Sequence, residues 1–240
     1  MKFTDLTRFG RKALPIKYCG AVIVAAGNAS RMGGIDKIMA EIKGEPMIVH
    51  TVRAFQACDA VREIVIVTRS DLLQPVMSLC RQFDKVRAVV AGGKDRPESV
   101  SNGLNALSGR VKLAAIQDGA RPLITWQVID RVVRAANAYG AAAPAVPVKD
   151  TVKTVQGGVV KDTPDRSKLR AVQTPQVFDF DLLRGALKKA KEDGAEITDD
   201  CSAVERLGMS VKIVEGDERN IKVTTPNDLR IAEMLMEESQ

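Results

Sequence analysis

Arg31 and Lys37 stand near the end of a stretch, CGAVIVAAGNASRMGGIDK, that runs from position 19 to position 37. It begins as an apolar run and breaks at Ala25-Ala26-Gly27 into Asn28-Ala29-Ser30, with Gly33-Gly34 close behind. Small side chains let backbone N–H groups approach a ligand closely. With two cations added, a buried strand feeding such a loop is a phosphate grip. The pattern is neither the Gly-Lys-Ser/Thr phosphate loop nor the Gly-x-Gly-x-x-Gly dinucleotide turn. Farther along, Asp118 sits in QDGARP with Arg121, and Lys222 follows the last apolar run. Four cations and one carboxylate suit a polyphosphate carrying a divalent metal, with Asp118 as the metal ligand. Each residue also has a plainer reading. Asp118 before a glycine forms turns, Arg121 serves as a surface cation, and Ser99 and Thr198 start helices.

The elements that must position these residues alternate. Strands are expected at 21–26, 62–68, 85–91, 111–116 and 141–146, with helices at 46–58, 71–83, 97–107 and 125–139, the last N-capped by Thr125. Such alternation predicts a doubly wound, mostly parallel sheet with ligands beyond the carboxyl ends of its strands. Three loops of unusual chemistry fall there: 27–37, 92–99 and 118–122. Residues 149–170 break the pattern, alternating β-branched and charged residues around Gln156-Gly157-Gly158, as a solvent-facing hairpin does. An excursion of that kind must lie against something, and a partner subunit is the natural candidate. Helices at 180–191, 198–207 and 226–237 and a strand at 211–214 complete the chain.

Composition narrows the function. The chain has 240 residues, 45% apolar and 28% charged, enough for one large domain at 18–240 after a basic extension at 1–17. No apolar run is long enough to cross a membrane, and the first residues hold no secretory apolar region, so a cytoplasmic location is expected. Four widely spaced cysteines without a C-x-x-C pair predict reduced, packed thiols. With His50 the only histidine, Ser-His-Asp chemistry and multi-histidine metal sites have little to build on. Net charge is +6, but residues 1–17 hold five cations against Asp5, a net +4, which leaves +2 for the body. That distribution and an aromatic content of 4% argue against a nucleic-acid partner. The second strand ends in Thr68-Arg69-Ser70 without a ribose-binding acid, which argues against a nicotinamide dehydrogenase.

AAGNASRM with the following DK, then AGGKDRPESV, QDGARP, PVKDTVK, PDRSKL, TPQVF, ITDDCSAVE and NIKVTTPNDL occur in the order of one family. From about Cys19 onward the chain resembles the 2-C-methyl-D-erythritol 4-phosphate cytidylyltransferases of the non-mevalonate isoprenoid pathway. The resemblance implies a single Rossmann-like domain with a β-hairpin arm at about 148–170. It also implies transfer of CMP from CTP to methylerythritol phosphate, with release of pyrophosphate and use of Mg²⁺. Arg31, Lys37 and Lys222 match catalytic positions, the first two steadying the triphosphate and transition state. Ala25, Ala26, Gly27, Gly93, Ser99 and Asp118 match nucleotide-binding positions, Gly93 and Ser99 reading cytosine. Arg121, Thr174, Thr198 and Lys222 match the second-substrate site, with Asp118 at the metal. Thr151 and Arg166 match residues on an arm that crosses into the other subunit of a homodimer. The chain departs from common members at Ile38-Met39, Gln117, Gly119 and Arg219. A ribitol-5-phosphate cytidylyltransferase resembles the same loops, and a non-catalytic nucleotide- or nucleic-acid-binding protein is the alternative of another class. The chemistry agrees with one histidine: a phosphate monoester is largely dianionic at pH 7, so no side chain need deprotonate it. The barrier lies in joining two anions.

Overall fold

All of Cys19–Ala25 (β1) except Val24 is buried. A strand with no exposed face belongs at the centre of a parallel sheet covered on both sides. The computed structural model describes residues 15–27 and 37–237; Arg31 and the paired glycines lie outside the described residues. Two short strands, β2 (Glu41–Ile42) and β3 (Glu45–Pro46), lead into α1 (Met47–Ala57), β4 (Val61–Thr68), α2 (Leu73–Cys80), β5 (Val86–Ala91), α3 (Arg96–Ala106) and β6 (Leu113–Asp118). Then follow α4 (Trp126–Tyr139), β7 (Ala141–Pro147), β8 (Thr154–Gln156), β9 (Val159–Asp162), β10 (Arg170–Val172) and β11 (Gln176–Asp179). The chain ends through α5 (Phe180–Glu192), α6 (Asp200–Glu205), β12 (Lys212–Glu215) and α7 (Pro226–Glu237).

The main sheet runs β10-β7-β11-β6-β1-β4-β5, and β12 pairs with β7 as well. Ala142 is opposite both Val177 and Lys212, so β12 lies on the edge of β7 away from β11. Every pairing is parallel except those of β10 and β11. These two short antiparallel segments escape the sequence reading. They flank Gln173–Pro175, where the Thr174–Pro175 peptide is cis.

Period-two alternation divides the core. Ile23, Ile64, Ile66 and Leu113 pack with α1, α2 and α4, whereas Val22, Val65, Val67 and Ile116 pack with α3, α5 and α6. Each such fully buried aliphatic contributes about 1.5–3 kcal/mol. Gly103 lets α3 lie close on the sheet, since a Cβ there would meet Val22 Cγ1 at 2.3 Å and Val67 Cγ2 at 2.8 Å. A third cluster joins Ile42, Met47, Ala120, Val223 and Ala232, which docks α7 and the 220s loop beside the end of β6.

Boundaries differ from expectation in places. The helix expected at 71–83 begins as a 3₁₀ turn at Ser70–Leu72 and ends its α-helical part at Cys80. Thr125 occupies the cap position of α4, but its side chain makes no capping bond. At α7 the capping is reciprocal. Asp228 accepts from the N–H groups of Thr224 and Thr225 at 2.8 Å each and donates its own N–H to Thr225 Oγ1. The hairpin expected around Gly157-Gly158 forms as β8–β9, with both glycines at positive φ and every residue of the two strands exposed. His50 serves structure, its Nε2 lying 2.9 Å from the Ile42 carbonyl, and all four cysteines are buried free thiols.

Candidate active site

A cleft of about 460 Å³ opens at the carboxyl ends of β1, β4, β5 and β6, where a doubly wound sheet places its ligands. Its floor is Val24–Gly27 on one side and Gly92-Gly93 on the other. A Cβ on Gly92 would meet the Ala26 Cβ at 2.3 Å, so only glycine lets the two loops close together. Ser99 fixes the second loop: its Oγ accepts from the Gly93 N–H at 3.0 Å and donates to the Asp95 carbonyl at 2.8 Å. Asp95 caps α3 by accepting from the Glu98 N–H, so a helix N-terminus faces the cleft.

Asp118, the last residue of β6, is buried under cations. Its Oδ1 accepts from Arg96 Nη1 at 2.7 Å, and its Oδ2 lies 2.9 Å from Lys222 Nζ and 3.6 Å from Arg121 Nε. Burial pushes the carboxyl upward, but Arg96, Lys222 and Arg121 outweigh it and hold its pKa at about 2. The Asp118 N–H donates to Thr174 Oγ1 at 3.1 Å, and Asn220 Nδ2 donates to the Thr174 carbonyl at 3.0 Å. Arg121 Nη1 in turn donates to the Asn220 carbonyl at 2.7 Å, so β6, the bend before β11 and the Lys222 loop form one polar unit. The Val223 N–H donating to the Ala120 carbonyl ties that loop down once more. Among the described residues five cations and two carboxylates line the cleft, a surplus of three positive charges. That suits a multiply charged anion.

A family model described as IspD, 2-C-methyl-D-erythritol 4-phosphate cytidylyltransferase, matches residues 19–238. Proteins of that name from Geobacillus thermodenitrificans and Caldanaerobacter subterraneus subsp. tengcongensis are 47% and 42% identical to this chain over 221 residues, covering 90% of it and 96% and 97% of themselves. The chain belongs to the 2-C-methyl-D-erythritol 4-phosphate cytidylyltransferase family. Its fold matches as well. The crystal structure of 4-diphosphocytidyl-2C-methyl-D-erythritol synthase from Anaerococcus prevotii has a TM-score of 0.84 at 29% identity, over 92% of this chain and 96% of that one. The 2-C-methyl-D-erythritol 4-phosphate cytidylyltransferase of Thermus thermophilus gives 0.75 at 31%, over 90% and 98%.

Against this cytidylyltransferase background the expected residues divide. Ala25, Ala26, Gly27, Lys37, Gly93, Ser99, Asp118 and Lys222 line the cleft together. Arg121 and Thr174 stand behind Asp118 and touch it. Thr198 is exposed just before α6, outside the cleft lining. Thr151 and Arg166 are exposed beside the hairpin, and Arg166 Nη1 donates to the Lys149 carbonyl at 2.6 Å. Of the family departures, Ile38 is buried and lines the cleft, while Gln117 is buried next to Asp118 and donates to its carbonyl. Arg96, singled out by nothing in its local sequence, lines the cleft and contacts Asp118 directly.

Proposed function

We propose that the chain transfers CMP from CTP to 2-C-methyl-D-erythritol 4-phosphate and releases pyrophosphate in isoprenoid precursor synthesis. Membership of the cytidylyltransferase family supports the reaction. The observation that carries the site is the cationic cleft closed at one end by Asp118, with glycine-lined loops at the other. In this reading the backbone of Ala25–Gly27 and the N-terminal end of α3 bind the triphosphate. The Gly93 loop, held by Ser99, meets the pyrimidine edge. Lys37, with Arg31, stabilises charge growing on the α-phosphate and the leaving pyrophosphate. Lys222, with Arg121 adding its charge from behind Asp118, draws in the phosphate of the second substrate, which attacks without a general base.

Among the described residues no three acidic, histidine or cysteine side chains gather into a metal cage. Asp118, ionised and lining the cleft, would instead be the one carboxylate to hold a Mg²⁺ ion carried in on the nucleotide phosphates. Its Oδ2 would be released as the half-exposed Lys222 turns to a substrate phosphate. When bound, such an ion screens the repulsion between the two anions.

The finer points belong to the same proposal. Residues 18–240 act as one catalytic domain. The exposed hairpin carries Thr151 and Arg166 across a twofold axis to the partner's cleft. Neither nucleic acid nor membrane is a partner; among the described residues no helix is long and apolar enough to span a membrane. Four free thiols go with a reducing, cytoplasmic setting.

The test is pyrophosphate release with each nucleotide and acceptor in turn. CTP with methylerythritol phosphate should turn over well above CTP with ribitol 5-phosphate. Equal turnover with ATP or GTP would remove the pyrimidine-reading role of the 92–99 loop, and a preference for ribitol 5-phosphate would overturn the acceptor.

A further inference from the structure

Arg96 bonds two carboxylates at once. Nη1 donates to Asp118 Oδ1 and Nη2 to Asp200 Oδ2, each at 2.7 Å. Asp118 is in the cleft; Asp200 is not among its lining residues and is 2% exposed. A buried carboxylate at the start of a helix needs a reason, because burial opposes its ionised form. Its surroundings are rigid. Gln176, buried on β11, accepts from the Cys201 N–H at 3.0 Å and donates to Asp199 at 2.8 Å, fastening the start of α6 to the sheet on either side of Asp200. Arg96, in contrast, is the first residue of α3, at the end of the loop that lines the nucleotide side of the cleft, and its side chain is 29% exposed. Two of its five N–H donors serve the two carboxylates; among the described residues no partner takes the other three.

We propose that Asp200 is a positioning residue for nucleotide binding: it touches no ligand, but its fixed carboxylate holds the Arg96 guanidinium against Asp118, so that the 92–99 loop and Asp118 meet the nucleotide in one register. This rests on the reading of the cleft as a CTP site. Simple electrostatics points the other way. Removing a negative charge beside a triphosphate site should tighten binding or leave it unchanged, whereas loss of an anchor weakens it.

The test is calorimetric titration of the full chain with CTP and magnesium chloride, on wild type, Asp200→Asn, Arg96→Met and the double variant. Thermal melts serve to count only folded protein. Asp200→Asn is close to isosteric and leaves the Asp199 cap of α6 in place. It should weaken CTP binding about tenfold, as expected for a residue within a coupled network. In the Arg96→Met background the same change should cost nothing further, because its effect runs through Arg96. Unchanged or tighter binding by Asp200→Asn overturns the proposal. So does an equal loss in both backgrounds, or a lowered melting point without a change in affinity. Should Arg96→Met fail to fold, Arg96→Lys takes its place in the cycle, since it keeps the charge and loses the two-armed bond. A wild-type chain that binds CTP but releases no pyrophosphate defeats the reaction and leaves this inference standing; one that does not bind CTP defeats both.

Discussion

Lys37 and Asp118 hold opposite duties within one cleft. The lysine is a point charge on a flexible stem, and in the proposed reaction its value is greatest when negative charge builds on the oxygens of the α-phosphate and the leaving pyrophosphate. The carboxylate is clamped between Arg96, Arg121 and Lys222 before any substrate arrives. Substituting Lys37 by Ala should therefore lower kcat by about two to three powers of ten while changing the KM for CTP much less. Steady-state kinetics with CTP varied at saturating acceptor makes the distinction, and an unchanged kcat with a raised KM would reassign Lys37 to ground-state binding. The loop chemistry around Lys37 and Asp118 is legible in the sequence because small residues and glycines cluster beside charges. Arg96 is not legible, because its partners lie 22 and 104 residues away and its local context, before a proline at a helix start, reads as a surface cation. Thr174 comes forward only through the family resemblance; its contact with Asp118 is not legible locally, because its hydroxyl accepts from a backbone N–H 56 residues distant.

Among the elements, α7 governs the Lys222 loop through its cap. Burial works against ionisation of Asp228, but the bonds from Thr224 and Thr225 outweigh it and hold the carboxyl below its usual range. A carboxylate depressed in the folded state contributes stability above its unfolded pKa of about 4 and loses it as pH falls through the folded value. Asp228→Ala should thus cost about 1 kcal/mol near pH 7, and the gap from wild type should shrink in melts run below about pH 4. A gap constant with pH would show that the cap works through shape alone. The helix expected at 226–237 forms as α7 over Pro226–Glu237, and its cap is seen only in the structure. Thr125 shows the limit of capping signals: a hydroxyl at a cap position makes no bond there. The antiparallel β10 and β11 are harder still, because three- and four-residue segments carry too little periodicity to reveal their direction.

At the scale of the whole molecule, the proposed arm crossing gives each cleft Lys37 from one chain and Arg166 from the other. Homodimers of Arg166→Ala and of Lys37→Ala should each be nearly inactive. After subunit exchange, about half the dimers are mixed, and each mixed dimer holds one site with both defects and one with neither. Activity should then recover to roughly a quarter of wild type. No recovery, with exchange confirmed, would leave the hairpin serving its own chain.

The surplus of three positive charges that the described residues place along the cleft also acts before contact. A triphosphate diffusing nearby feels that field over roughly the Debye length, about 10 Å at 0.1 M salt. The cleft should gather CTP faster than chance collision allows. The encounter rate, read as kcat/KM for CTP, should fall as potassium chloride rises from about 0.05 to 0.5 M, with kcat nearly level. Asp118→Asn should bind its nucleotide with a steeper salt slope than wild type, whatever it does to turnover. A slope independent of salt in both would mean that the cations answer only to their own carboxylates and cast no field into the solvent.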